Sequence, residues 1–311
     1  MDTILGAVEN AKHIVLIAHI NPDADSLGSV SAMYTQMMRL HKKCSIYCVS
    51  TSLNQQLNFL PWYDKVRHTF PAHADLAMSF DCGAYERLGI EVPCTLINID
   101  HHISNENYGD INLVDSSAIS TTQVIYEWML TNGLGINAKI ATALYAGLLD
   151  DSNGFTHIRM NEAVFAMAHA LVQAKAEHLI CVEKLMHTTP LAALRLKGEM
   201  LRELFLEDEG RLAFLMVPCE LMEQTGARAV DCEDALEESM HLPTVDVAVL
   251  LRENQDGSIK GSFRSKVLNA NTMAKLFDGG GHAHAAGFRI EGTTLQNCVE
   301  KVKEIVKMER K

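Results

Sequence analysis

The chain has 311 residues, with 27 Lys and Arg against 39 Asp and Glu, for a formal charge of −12. With 48% hydrophobic and 21% charged residues, it has the makeup of a folded protein and not of a disordered one, and at roughly 150 residues per domain it fits two domains. The acidic balance argues against gripping long nucleic acid, which requires Lys and Arg to neutralise phosphates, but it permits a small phosphorylated substrate if cations come from elsewhere.

The opening MDTILGAVENAK is acidic where a signal peptide would be basic, and lacks an apolar core before a small-residue cleavage site. The longest dense apolar run, 14–18, is far shorter than the roughly 18 residues that span a bilayer. None of the 8 cysteines forms a CxxC pair, which speaks against a zinc ribbon or a thioredoxin-like motif. A reduced, soluble, cytoplasmic protein without a membrane partner is expected.

The run 14–18 reads as a strand buried on both faces, followed by a helix from Ser26 onward. Further strands are predicted at 45–49, 76–80 and 95–99, and helices at 118–131, 138–149, 161–174 and 178–187. Strands alternating with helices predict an α/β fold: a doubly wound, mainly parallel sheet with helices on both faces. The texture changes near 190. A helix over 191–206 links to a strand at 212–217, a helix at 219–225, and strands at 245–252 and 258–263 around an Asn254-Gln255-Asp256-Gly257 hairpin turn. Helices near 271–277 and 294–309 flank a glycine cluster at 279–281. The expected organisation is a domain over 1–189 and a smaller α+β domain over 190–311, with the active site in the cleft between them.

Polar clusters follow the apolar runs of the first domain: His19-x-x-x-Asp23-x-Asp25, then Asp81, Asp100-His101-His102, and Asp150-Asp151 at a helix end. The carboxyl ends of parallel strands converge on one crevice, so His19, Asp81 and Asp100 are expected to meet there. Carboxylates gathered in one place need cations, and a mixture of Asp and neutral His suits Mn²⁺-like divalent metals. Taken singly, Asp23 and Asp25 read equally well as a turn capping the next helix. Capping does not account for clusters at successive strand ends in one order.

HxNPDxDSxGS (19–29), DCG (81–83), DHH (100–102) and GLLDDSNGF (147–155) resemble the four motifs of the DHH phosphoesterase superfamily. In the second domain, GSFRS (261–265) and GGGHAHAAG (279–287) resemble the DHH-associated C-terminal domain. The two-domain length is most similar to the subfamily of bifunctional oligoribonucleases (nanoRNases) and 3′-phosphoadenosine-5′-phosphate (pAp) phosphatases. The resemblance implies two Mn²⁺, with Mg²⁺ or Co²⁺ as substitutes. One would be held by His19, Asp23 and Asp81, and the other by Asp25, Asp81, His101 and Asp151, with Asp81 bridging. Asp100 would orient the histidines, and His102 would assist the leaving oxygen. The adjacent Asp150 leaves open which acid of the fourth motif is the ligand.

In the C-terminal motif, Gly279, Gly280 and Gly281 let backbone N–H groups approach a phosphate. The residues after them are expected to start a short helix whose N-terminus also favours anions. Arg264 offers a planar fork, Lys266 a point charge, Ser265 a hydroxyl, and His282 a phosphate or base contact. Glu233, Glu237 and Glu238 read as a solvated helix face. The implied activity is hydrolysis of short oligoribonucleotides and pAp by two-metal activation of water. A linear or cyclic dinucleotide phosphodiesterase is the alternative enzyme, and a non-catalytic nucleotide-binding regulator the alternative of another class. The oligomeric state, a homodimer included, is open.

Overall fold

The computed structural model describes residues 2–310, and the chain divides into two compact units, Met1–Thr188 and Thr189–Lys311. In the first, β1 (His13–Ala18), β2 (Lys43–Tyr47), β3 (Val66–Arg67), β4 (Leu76–Phe80), β5 (Thr95–Asp100) and β6 (Ile111–Val114) form a parallel sheet in the order β3-β2-β1-β4-β5-β6. The chain winds outward from β1 in one direction and from β4 in the other. The switch point therefore lies between β1 and β4, where a ligand crevice forms in doubly wound sheets. The β4 side chains are all buried, and so are those of β1 beyond His13.

Six helices complete this unit: α1 (Thr3–Asn10), α2 (Ala24–Arg39), α3 (Thr121–Thr131), α4 (Ala138–Asp151), α5 (Glu162–Gln173) and α6 (His178–Met186). Ile14, Leu16 and Ala18 of β1 face a core shared with α1 to α6. Val15 and Ile17 face the other way, against Leu88, Tyr85, Phe70 and Tyr108. The second face is thus covered by loops and one 3-10 turn, Tyr85–Leu88, instead of the expected helices. The β4–β5 connection contains Gly83, Gly89 and Pro93, and Gly89 ends the turn at φ 67°, so no α-helix forms there. The strand expected at 45–49 runs from Lys43 to Tyr47, in the register that pairs His13 with Lys43.

The second unit is a mixed sheet of β7 (Phe205–Glu207), β8 (Leu212–Val217), β9 (Val247–Glu253), β10 (Ile259–Ser265), β11 (Gly280–Gly281) and β12 (Ala285–Ile290), in the order β11-β12-β10-β9-β8-β7. Only β8 and β9 are parallel. Its helices are α7 (Leu191–Arg202), α8 (Cys219–Thr225), α9 (Glu233–Met240), α10 (Ala270–Lys275) and α11 (Leu295–Glu309). Val249, Phe263 and Phe288 pack against Met273, Val299 and Val302 on one face, while Leu215 and Leu250 pack against Leu196, Met200 and Leu236 on the other. The helix predicted over 191–206 stops at Arg202, because 205–207 pairs with β8. No helix among the described residues is long and apolar enough to cross a membrane.

Candidate metal centre

At the switch point Ala18 of β1 pairs with Phe80 of β4, so the next residues, His19 and Asp81, emerge side by side. Asp81 adopts a left-handed backbone (φ 58°), a conformation that Asp tolerates better than most side chains, and its N–H donates to Ile99 O at 3.1 Å. Its Oδ2 lies 3.5 Å from His19 Nε2, and its Oδ1 lies 3.4 Å from His101 Nε2. Asp81 thus stands between the two histidines.

Asp23 is the N-cap of α2: its Oδ1 accepts from Ser26 N at 3.0 Å. Its Oδ2 lies 3.7 Å from His19 Nε2, so capping leaves one oxygen facing the centre. Asp25 sits in the first turn, fully buried. Its carboxylate accepts from the Thr121 and Thr122 N–H groups at 2.6 and 2.9 Å, at the start of α3. Asp151 ends α4 with Oδ2 3.2 Å from His101 Nε2. Asp150 turns elsewhere, accepting from Ala24 N at 3.2 Å.

Two sets of ligand atoms result, each within 4.8 Å: His19, Asp23 and Asp81, and Asp25, Asp81, His101 and Asp151. They share Asp81. A third overlapping set contains Asp81, Asp100, His101 and His102. By themselves these carboxylates cannot all ionise. Burial, then the Asp81 charge, pushes Asp25 up. Burial and the neighbouring Asp25 and Asp81 charges push Asp151 up, and burial with Asp23 raises Asp150 to about 6. Asp81 is held low, because hydrogen bonds from His101 and His19 outweigh its burial. Burial depresses His19, but Asp23 and Asp81 overcome it and raise the imidazole to about 9. Oxygen and imidazole donors crowded to this extent fit divalent cations, whose charge reverses the penalty on each carboxylate.

The buried Asp100 carboxylate accepts from His102 Nδ1 at 2.7 Å, from the His101 backbone N–H at 2.8 Å, and from Asn105 Nδ2 at 2.5 Å. It fixes the His102 ring with Nε2 turned away. The expected orientation of both histidines applies to His102 alone, since the buried His101 Nδ1 has no hydrogen-bond partner among the described residues. Four contributors escaped sequence reasoning: Thr121, whose Oγ1 donates to Asp81 Oδ1 at 3.0 Å, Thr122, Asn105, and Arg87, whose Nη2 lies 3.0 Å from His19 Nδ1. The Ser-Thr-Thr run opening the α3 helix pattern was the available signal for the threonines.

The second unit departs further from expectation. The glycine cluster forms an edge hairpin, Gly280 opposite Gly287 and Gly281 opposite Ala286, so no helix starts there. A Cβ on Gly279 would lie 2.3 Å from Gly287 O, so close strand approach fixes that glycine. Gly280, Gly281 and His282 are exposed. Arg264 is already engaged, by Glu233 Oε2 at 2.9 Å and Glu237 Oε1 at 2.5 Å. These glutamates are therefore its ion-pair partners and not a solvated face. Lys266 Nζ donates to Val245 O at 2.8 Å and Leu242 O at 3.3 Å, and Ser265 Oγ accepts from Leu268 N at 2.8 Å.

The model of the DHH family N-terminal domain matches residues 13–148, and that of the DHHA1 domain matches 212–308. The chain contains a DHH N-terminal domain and a DHHA1 domain. The chain is 29% identical over 310 residues to the bifunctional oligoribonuclease and PAP phosphatase NrnA of Thermus thermophilus, covering 98% of this chain and 92% of that protein. It is 28% identical over 283 residues to the Bacillus subtilis protein of the same name, covering 89% of each. An exopolyphosphatase-related protein from Bacteroides fragilis shares the DHH fold, with a TM-score of 0.87 at 22% identity over 98% of this chain and 94% of its own.

Proposed function

We propose that this DHH-family phosphoester hydrolase acts on short oligoribonucleotides and pAp, with two divalent cations, Mn²⁺ by preference, held by His19, Asp23 and Asp81 and by Asp25, Asp81, His101 and Asp151. The observation that carries this reading is the pair of ligand sets sharing Asp81, in a chain similar over nearly its whole length to two NrnA proteins. Asp151 is the acid of the fourth motif assigned to the metal, because it faces His101 while Asp150 holds the Ala24 N–H.

Divalent cations held by these residues would supply Lewis acidity toward phosphoryl oxygens and lower the pKa of water. The chain's own residues supply the remainder. Asp100, kept low by His102 and Asn105 despite burial, fixes the His102 tautomer through the Nδ1 hydrogen bond. His102 Nε2 then serves the leaving oxygen with a proton. In the DHHA1 unit, the exposed His282 imidazole meets the substrate's terminal phosphate, beside the hairpin that Gly279, Gly280, Gly281 and Ser265 shape and in which the Gly281 N–H is held by Asn271 Oδ1 at 3.1 Å. Arg264 joins His282 by exchanging Glu233 and Glu237 for phosphate. Lys266 contributes positive charge while tied to its carbonyls. The net charge of −12 supports short substrates over long nucleic acid.

The test is a side-by-side time course on pAp, RNAs of graded length, linear and cyclic dinucleotides and pyrophosphate, with the protein stripped by chelator and reloaded with Mn²⁺. Turnover of pAp and the shortest RNAs, lost on stripping, is expected. Turnover confined to cyclic dinucleotides or pyrophosphate overturns the reading.

A further inference from the structure

We propose that Arg87 is a substrate-binding side chain of the metal centre, gripping non-bridging oxygens of the substrate phosphate. Arg87 lies in the 3-10 turn Tyr85–Leu88 downstream of Asp81. Its backbone O accepts from Ile20 N at 2.9 Å, which ties this turn to the loop after β1. The side chain is exposed, and no carboxylate lies within 4.0 Å of it among the described residues. It is the one Lys or Arg side chain among them that hydrogen-bonds to a member of the centre.

Its contact there is an unstable compromise. His19 Nδ1 lies 2.8 Å from Ile20 O and 3.0 Å from Arg87 Nη2. The carbonyl only accepts and the guanidinium only donates, while a ring nitrogen carries either one proton or one lone pair. It serves one of the two partners. An imidazole that ligates through Nε2 carries its proton on Nδ1, and that proton belongs to Ile20 O. Arg87 is then left as a free cationic fork at the rim of an acidic centre, with no acceptor of its own. A phosphate supplies two oxygens in the spacing that a guanidinium binds bidentately.

This inference rests on the phosphoester reading but not on which ester is cleaved, so its test includes a probe independent of turnover. Binding of inorganic phosphate to the Mn²⁺-loaded protein is measured by calorimetry for wild type, Arg87→Ala and Arg87→Lys, together with bound Mn²⁺ and thermal unfolding. Arg87→Ala is expected to weaken phosphate binding about 10- to 100-fold, the scale of lost charge-assisted hydrogen bonds, with Mn²⁺ stoichiometry and melting unchanged. Arg87→Lys should recover part of the loss, and added methylguanidine should restore phosphate binding and turnover to Arg87→Ala. Unchanged phosphate affinity in Arg87→Ala overturns the assignment. So does loss of Mn²⁺ in step with phosphate, which would make Arg87 a support for His19. If wild type binds phosphate but turns over neither RNA nor pAp, the proposed substrates fall while the Arg87 comparison stands.

Discussion

Asp25 and Gly147 are so close that a Cβ on Gly147 would lie 2.5 Å from Asp25 Oδ1 and 2.8 Å from its Cα. A similar squeeze operates at Gly28, whose Cβ would lie 2.5 Å from Ala143 O. Helices α2 and α4 therefore approach through glycines, and that approach lets a carboxylate on the first turn of one helix reach an imidazole served by the end of the other.

Gly147→Ala should displace the Asp25 carboxylate and leave the fold in place at a cost of about 1–3 kcal/mol, the usual range for overpacking. The expected result is loss of one of two Mn²⁺ equivalents and at least a tenfold fall in kcat. Metal content by elemental analysis beside a melting curve checks it. Two retained equivalents would show that Asp25 does not depend on this approach.

Asp150 and Asp151 are neighbours with different surroundings. Asp151→Asn should abolish most turnover, about a hundredfold or more, because it removes a charged ligand worth several kcal/mol. Asp150→Asn keeps an oxygen for the Ala24 N–H and should stay within about tenfold of wild type. Paired kinetics of the two variants decide the assignment, and the reverse ranking would exchange their roles.

Metal should stabilise the protein, because the crowded carboxylates lose their mutual penalty when it binds. At free Mn²⁺ about 100 times the dissociation constant, each site adds about 2.7 kcal/mol. Melting followed against Mn²⁺ concentration should rise steadily in wild type and much less in Asp81→Asn. A melting temperature indifferent to Mn²⁺ would count against both ligand sets.

Arg264 must release two glutamates to take a phosphate. Glu233→Gln with Glu237→Gln should therefore lower KM for 5′-phosphorylated substrates by several-fold while kcat changes little. Substrates without that phosphate should not respond. A raised KM would instead mean that the glutamates hold Arg264 in its working position.

Asp2 caps α1, accepting from Ile4 N at 2.9 Å and Leu5 N at 3.1 Å, and from Trp128 Nε1 at 3.2 Å. Burial raises this carboxyl, but the Leu5, Trp128 and Ile4 donors outweigh it and hold it below its ordinary value. A group lowered on folding stabilises the protein above its unfolded pKa, and that contribution fades as pH falls through the folded one. Asp2→Ala should cost about 1 kcal/mol at neutral pH, and the difference from wild type should close in strong acid. Urea unfolding at both pH values measures it.

Much of the centre was legible before any fold was known, because strand ends in a doubly wound sheet must converge and each expected ligand follows or ends an apolar run. His19, Asp23, Asp25, Asp81, His101 and Asp151 are brought together on that logic. Arg87 was not legible: it sits in a turn with no periodic signal, and its proximity to His19 depends on one backbone hydrogen bond between two loops. Thr121 and Thr122 reach Asp25 through main-chain N–H groups, which any residue but proline can supply, and only the Thr121 Oγ1 contact to Asp81 uses a side chain. The glycine cluster misled for a related reason. Glycines open an anion nest as readily as an edge hairpin, and only the pairing of Gly280 with Gly287 decides between them.

The order in which the chain is made has a consequence for the shared Asp81. On a ribosome, His19, Asp23 and Asp81 are all synthesised before β5 begins, whereas the other set stays incomplete until the last turn of α4. A nascent or prematurely terminated chain ending before Asp151 thus carries every side chain of one set and only part of the other. On the proposed two-site reading, capture of the second cation would report that the polypeptide from β1 through α4 has been delivered and docked.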